Sequence, residues 1–146
     1  MGDYHVQMLI AIDAEREAVR SRLTGVDCIA SWWSSRVEGS ADAEGDGFGV
    51  SFPDVPVPFG FTVSTLSDDR VEWLVGEMPP PWAGTTIRFD LASDPETGGT
   101  NLRFQHRDFD PDSEAIAIVT PAWANIMMRL KANTETGADE AFFQVA

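Results

Sequence analysis

The chain is poor in cysteine, in histidine and in positive charge, and each shortage removes a class of function. Cys28 is the sole cysteine among 146 residues, so no intrachain disulfide forms and no cysteine-rich metal site can be built. The two histidines, His5 and His106, stand isolated in the sequence, without the spacing of a metal-ligand set, so neither a metal nor another cofactor is expected. Lysine and arginine total 10 against 24 acidic residues, a formal net charge of −14. Such a surface repels phosphate backbones and anionic headgroups, which argues against a nucleic-acid partner and against stable membrane anchoring. Long hydrophobic runs are missing too. The apolar stretch 8–12 is too short for a signal core or a membrane span, and no basic region precedes it. Val6 stands where a myristoylation signal after Gly2 would need serine or threonine. A soluble, cytoplasmic protein is expected. No internal repeat and no linker divides the sequence, so a single domain over 1–146 is expected. The glycines around Asp46 and Phe48 join strands instead of opening a helix, and lack the spacing of a phosphate loop.

What the chain does contain is organised around residues 71–106. Val71, Trp73 and Val75, then Ile87, Phe89 and Leu91, then Leu102, Phe104 and His106 alternate with polar neighbours. That period of two predicts three antiparallel strands with one wet face and one inward face. Beyond them, Ile116, Val119, Trp123, Ile126, Met127 and Leu130 recur at three- and four-residue spacing, the stripe of an amphipathic helix over 113–136. Pro121 interrupts it. Because the stripe keeps phase, one bent helix is expected, with a break at Thr120–Pro121 as the alternative. Upstream, a strand at 4–12 leads to a helix capped by Asp13 and ended by Gly25, then to a second short helix over 26–33. A hairpin pairs 37–41 with 48–52, the three prolines of 53–58 form a loop or an edge, and a strand resumes at 59–66. Phe142 and Phe143 are too apolar to float free, and dock on the domain or on a second copy, which leaves a homodimer open. The expected fold is therefore α+β: a curved antiparallel sheet of about seven strands wrapped on a long C-terminal helix, with two short helices after the first strand.

Strand phase places Phe48, Val50, Phe52, Phe61, Val63, Trp73, Val75, Ile87, Phe89, Leu102, Phe104 and His106 on the inner face, with Trp123, Met127 and Leu130 facing them from the helix. Trp32, Trp33 and Trp82 fall in helix-end or loop segments bordering a mouth, and Trp73 and Trp123 are expected to meet across the interior. Two consequences stay open here: a packed core, or a cavity walled by aromatics and methionine that takes a flat apolar ligand. His106 is the one titratable residue that phase puts firmly inside. As a general acid or base it needs an orienting partner, which only Glu77 or Asp108 at the strand ends could supply. A core histidine satisfied by hydrogen bonds is the plainer reading.

Several stretches carry a family likeness. Ile12-Asp13-Ala14-Glu15-Arg16-Glu17-Ala18-Val19 and Ala30-Ser31-Trp32-Trp33 resemble the strand-to-helix transition and second helix of the START-like SRPBCC superfamily. Val71-Glu72-Trp73, then Trp82 through Leu91, then Thr100 through His106 resemble the branch that groups polyketide-cyclase-like proteins with homologues of Aha-type activators of a heat-shock-chaperone ATPase. Trp123, Arg129-Leu130-Lys131 and Glu135-Thr136-Gly137 look like its closing helix. Arg20, where relatives commonly carry an aromatic, and the proline-rich 53–58 depart from the pattern. The resemblance implies the helix-grip fold with an internal cavity, and it implies no single activity. The expected function is non-catalytic binding of a small apolar or amphipathic ligand of lipid, sterol or polyaromatic type. The alternatives are a cyclase or dehydratase using His106 as acid and base, and a chaperone-associated interaction protein.

Overall fold

The computed structural model describes residues 4–146. β1 (Tyr4–Ile12) leads into two short helices, α1 (Arg16–Ser21) and α2 (Val26–Ile29). Six strands follow: β2 (Val37–Gly39), β3 (Gly47–Val50), β4 (Phe59–Leu66), β5 (Arg70–Val75), β6 (Thr86–Ser93) and β7 (Thr100–Phe109). The chain then enters the long helix α3 (Ala115–Thr136). All seven strands form one antiparallel sheet in the order β1-β7-β6-β5-β4-β3-β2. This is the helix-grip architecture, with β1 carried past the whole sheet to pair with β7, Ile12 opposite Thr100 and Val6 opposite His106. Among the described residues, no helix is long and apolar enough to cross a membrane.

The alternating residues behave as their period dictates. Val71, Trp73 and Val75 of β5, Ile87, Phe89 and Leu91 of β6, and Leu102, Phe104 and His106 of β7 are all buried, and α3 turns Val119, Trp123, Ile126, Met127 and Leu130 toward them. Each fully buried aliphatic or aromatic side chain contributes about 1.5–3 kcal/mol by leaving water, so this one seam accounts for the sheet's grip on the helix. Pro121 lies inside α3 without breaking it. The carbonyl left without its donor is that of Ala117, and both residues are on the exposed side, where water takes the place of the missing N–H. Gly137 ends the helix in the left-handed conformation, φ 76°, its N–H donating to the Asn133 carbonyl at 3.0 Å.

Local departures from the sequence expectations have identifiable causes. Asp13 does not cap α1. The helix starts later, with Glu15 at its N-cap and no side-chain cap, and the Asp13 N–H donates to the Glu135 carboxylate of α3 at 2.7 Å. That bond, with the Lys131 ammonium 2.6 Å away, holds the Glu135 carboxyl below its ordinary pKa. α2 stops at Ile29, and the Trp32–Trp33 pair lies on the turns beyond it. Near the end of β7 the register against β1 shifts. Asp108 there has φ 75°, and its N–H donates to His5 Nδ1 at 3.0 Å. This bulge turns Asp108 out of the interior and brings Phe109 in, so that His106 and Phe109, three apart in sequence, share the inner face. Their rings lie 4.4 Å apart.

After α3 the chain returns as a strap. Phe142 and Phe143 donate their N–H groups to the carbonyls of Trp32 and Trp33 at 3.1 and 2.9 Å, and Ser35 donates back to the Phe143 carbonyl at 2.9 Å. The apolar pair is thus covered by its own chain, with Phe143 edge-on to Phe52 at 5.0 Å.

Candidate functional site

Between the middle of the sheet and α3 the described side chains are closely packed. Trp73, Ile87, Phe89, Leu102, Phe104, Met127 and Leu130 are 0% exposed, and the space between Trp73 and Trp123 is filled by Trp33. Its ring stacks on Trp73 at 6.0 Å and 2° and leans on Trp123 at 5.1 Å and 42°. The expected meeting of Trp73 with Trp123 is therefore mediated by a third indole. The Trp73 indole N–H finds no acceptor among the described residues. It sits among aromatic rings, with Phe48 edge-on at 5.1 Å and Phe89 at 4.9 Å.

Open space begins where that packing ends. A cleft of about 310 Å³ lies between the first half of α3 and the loop that follows β3, lined by Trp33, Phe52, Pro53, Val55, Phe59, Trp82, Ile118, Val119, Ala122, Trp123, Ile126 and Phe143. Sequence explains its walls. The prolines of 53–58 cannot join a ladder, so this stretch stands away from the sheet and leaves Val55 partly exposed. Pro80–Trp82 forms one 3₁₀ turn between β5 and β6 and sets the Trp82 ring 5.3 Å from Phe59 and 6.3 Å from Trp123. The strap supplies Phe143. Every lining side chain is apolar or aromatic.

His106 lies beneath this cleft, fully buried, in a directed chain of hydrogen bonds. The Trp123 indole N–H donates to His106 Nδ1 at 3.1 Å. An indole only donates, so Nδ1 is the acceptor and the ring proton sits on Nε2. Nε2 in turn donates to Thr85 Oγ1 at 2.8 Å, and the Thr85 hydroxyl donates to the Trp82 carbonyl at 2.6 Å. Burial pushes the imidazole pKa down to about 3. A general base needs a free lone pair within reach of a substrate proton, and here the single lone pair is held by Trp123. The chain instead ties β7, α3 and the turn before β6 together, and thereby fixes the Trp82 wall of the cleft.

The residues singled out from the sequence thus divide. Trp33, Phe52, Trp82 and Trp123 line the cleft. Phe61, Val63, Trp73, Val75, Ile87, Phe89, Phe104, His106, Met127 and Leu130 pack the interior behind it. Trp32, expected at the mouth, is 0% exposed and donates its indole N–H to the Arg22 carbonyl at 2.8 Å. Glu77 does not turn inward and remains exposed. Strand parity could not find Pro53, Val55, Ile118 or Phe143, which come from a loop, a solvent-facing helix position and the strap; nor could it find Thr85, which precedes its strand. The run Val55-Pro56-Val57 carries the one sequence signal, two apolar residues in a loop that cannot pair. No group of three histidine, cysteine or acidic residues among those described is arranged to hold a metal.

No family model and no curated protein sequence matches the chain. Solved structures do. The Aha1 dimer from Colwellia psychrerythraea superposes with a TM-score of 0.78 at 28% identity, over 92% of this chain and 98% of that one. DynU16, a protein of the dynemicin biosynthetic locus, gives 0.77 at 19% identity over 98% of this chain and 51% of its own. CalU16 from Micromonospora echinospora gives 0.73 at 16% identity over 93% and 76%. These likenesses carry the helix-grip fold.

Proposed function

We propose that this protein binds a small apolar or amphipathic molecule in the cleft between α3, the proline-rich loop and the C-terminal strap, and changes no covalent bond in it. The observation that carries this reading is the cleft itself: a volume of about 310 Å³ accepts a ring system or a short chain, and no acid, base or nucleophile lines it. Lipid, sterol and polyaromatic compounds all match that lining. A thermal-shift screen across sterols, fatty acids and polyaromatics is the test, with bound compounds expected to raise Tm and to perturb tryptophan fluorescence through Trp82 and Trp123. Absence of stabilisation by every class would remove the proposal.

The cyclase or dehydratase alternative needs His106 to exchange a proton with a substrate. Its lone pair and its proton are both engaged within the protein, and this speaks for a supporting role. Turnover of a polyketide-like substrate that is lost in His106→Gln while the fold survives would restore the enzyme reading. The 28% likeness to the Colwellia Aha1 protein over nearly both whole chains favours a second reading, association with a heat-shock-chaperone ATPase. Recovery of such a chaperone's middle domain by the immobilised protein at low salt tests it, and an empty pull-down rejects it.

A further inference from the structure

The charge around the cleft points to a narrower ligand class. We infer that the occupant carries no negative charge, and that where it is charged it is an aromatic or aliphatic ammonium cation. This rests on the binding proposal above and specifies it.

Cations on the sheet and beside the strap are already engaged. Arg70 and Arg88 cross the outer face of the sheet, paired with Asp90 and Glu72 at 2.6 and 2.7 Å. Beside the strap, Arg129 is paired with Glu140 at 3.0 Å, and Arg36 donates to the Ala146 carbonyl at 3.0 Å. None of the residues lining the cleft is cationic, so a carboxylate or sulfate entering it would meet no counter-charge.

Acids, by contrast, border the mouth. Asp54 lies between two lining residues, Pro53 and Val55, in the exposed loop. Glu114 is the N-cap of α3, one turn before the lining residue Ile118, whose N–H donates to the Glu114 carbonyl at 3.2 Å. Both are exposed, and neither forms a salt bridge among the described residues. Within a molecule of net charge −14, their field draws cations toward the opening and repels anions. Past the rim, the cleft is walled by Trp33, Trp82 and Trp123, and an indole ring attracts an ammonium group to its face and disfavours an anion there. Rim charge and aromatic wall therefore select in the same direction.

The experiment uses three probes that share one ring system: neutral 2-naphthylmethanol, (2-naphthylmethyl)trimethylammonium and 2-naphthoate. Affinities are read by calorimetry on the full chain at low and at moderate salt. The expected order is ammonium, then alcohol, then carboxylate, with the ammonium about tenfold or more ahead of the carboxylate. The gap should shrink with salt and in the double variant Asp54→Asn/Glu114→Gln, whose exposed side chains leave the fold intact. Equal or tighter binding of 2-naphthoate, with the alcohol still bound, overturns this inference and leaves the cleft as a binding site. If none of the three binds, the binding proposal falls and this one with it. A gap that persists in the double variant assigns the selectivity to the rings and overturns the role given to the rim.

Discussion

The interior around Trp73 and the cleft around Trp82 are built from the same residue types, yet one is closed and the other open. Trp33 belongs to both, stacked on Trp73 in the sealed region and contributing to the cleft lining beside Phe52 and Trp123. What separates the regions is the element that backs them. Behind Trp73 stand paired strands and α3, which bring side chains close enough to fill every gap. Around Trp82 the lining comes from the first half of α3 together with a proline-rich loop, one 3₁₀ turn and the strap, which stand outside the seven-stranded ladder and leave a gap. An aromatic inner face in this fold is therefore a stability feature where strands back it and a binding feature where irregular chain does.

Substitutions can break or sharpen that contrast. The largest effect belongs to Trp73→Ala, expected to lower unfolding free energy by about 3–5 kcal/mol in chemical denaturation while leaving the affinity for 2-naphthylmethanol within about threefold. A loss below about 1 kcal/mol would mean that the interior is not tightly packed.

Next comes pH. The folded His106 pKa lies near 3, below the unfolded value of about 6.5. Between those two values the unfolded chain binds a proton that the native state does not, so acidification destabilises the fold and stability rises with pH. At pH 5 the loss should reach about 2 kcal/mol relative to pH 7. In His106→Leu this component should vanish, at a cost of about 1–3 kcal/mol at neutral pH from the unpaired Trp123 N–H. Denaturation of both proteins at pH 5 and 7 checks it, and an identical pH dependence would remove the protonation argument.

At the cleft the balance inverts. Phe143→Ala removes a half-buried ring and should cost about 1–2 kcal/mol, with an approximately tenfold weaker probe affinity by the same calorimetry. The smallest stability effect is expected of Ile118→Asp, because Ile118 is 70% exposed. Its unfolding free energy should stay within about 0.5 kcal/mol of wild type, whereas binding of 2-naphthylmethanol should fall below detection. Retained binding in both cleft variants would move the site elsewhere.

The fold was legible because its signals are periodic. The alternation from Val71 to His106 set the inner face, and the stripe of α3 kept phase through Pro121, correctly implying one helix. Legibility failed where a tertiary partner overruled local chemistry. Asp13 has the residue type of a cap, yet α1 takes Glu15 as its N-cap, and Asp13 is instead tied by its N–H to Glu135, 122 residues away. Phe109 is absent from the inner face read from the sequence, because it is the bulge at Asp108 that brings it in. The candidate site was less legible than the fold, since parity describes strands while most of the cleft comes from irregular chain. Ile118 could not be distinguished from any exposed helix residue until the loop carrying Val55 was seen opposite it.

The pairing of β1 with β7 also has a consequence for the order of synthesis. Gln7 and Gln105 bond across the two strands at 3.0 Å, 98 residues apart. β1 thus leaves the ribosome well before the strand it pairs with, and it must also wait for Lys131, which donates to the Ala11 carbonyl at 2.6 Å. During elongation at about 5–20 residues per second, β1 spends seconds as a free strand with Val6, Ile10 and Ile12 uncovered. Its outward positions alternate with these apolar ones, so a strand that docks in the wrong register would turn its apolar side to water. Chains truncated before Thr100 should accordingly leave β1 protease-sensitive, with its protection arriving only when β7 and α3 are both present.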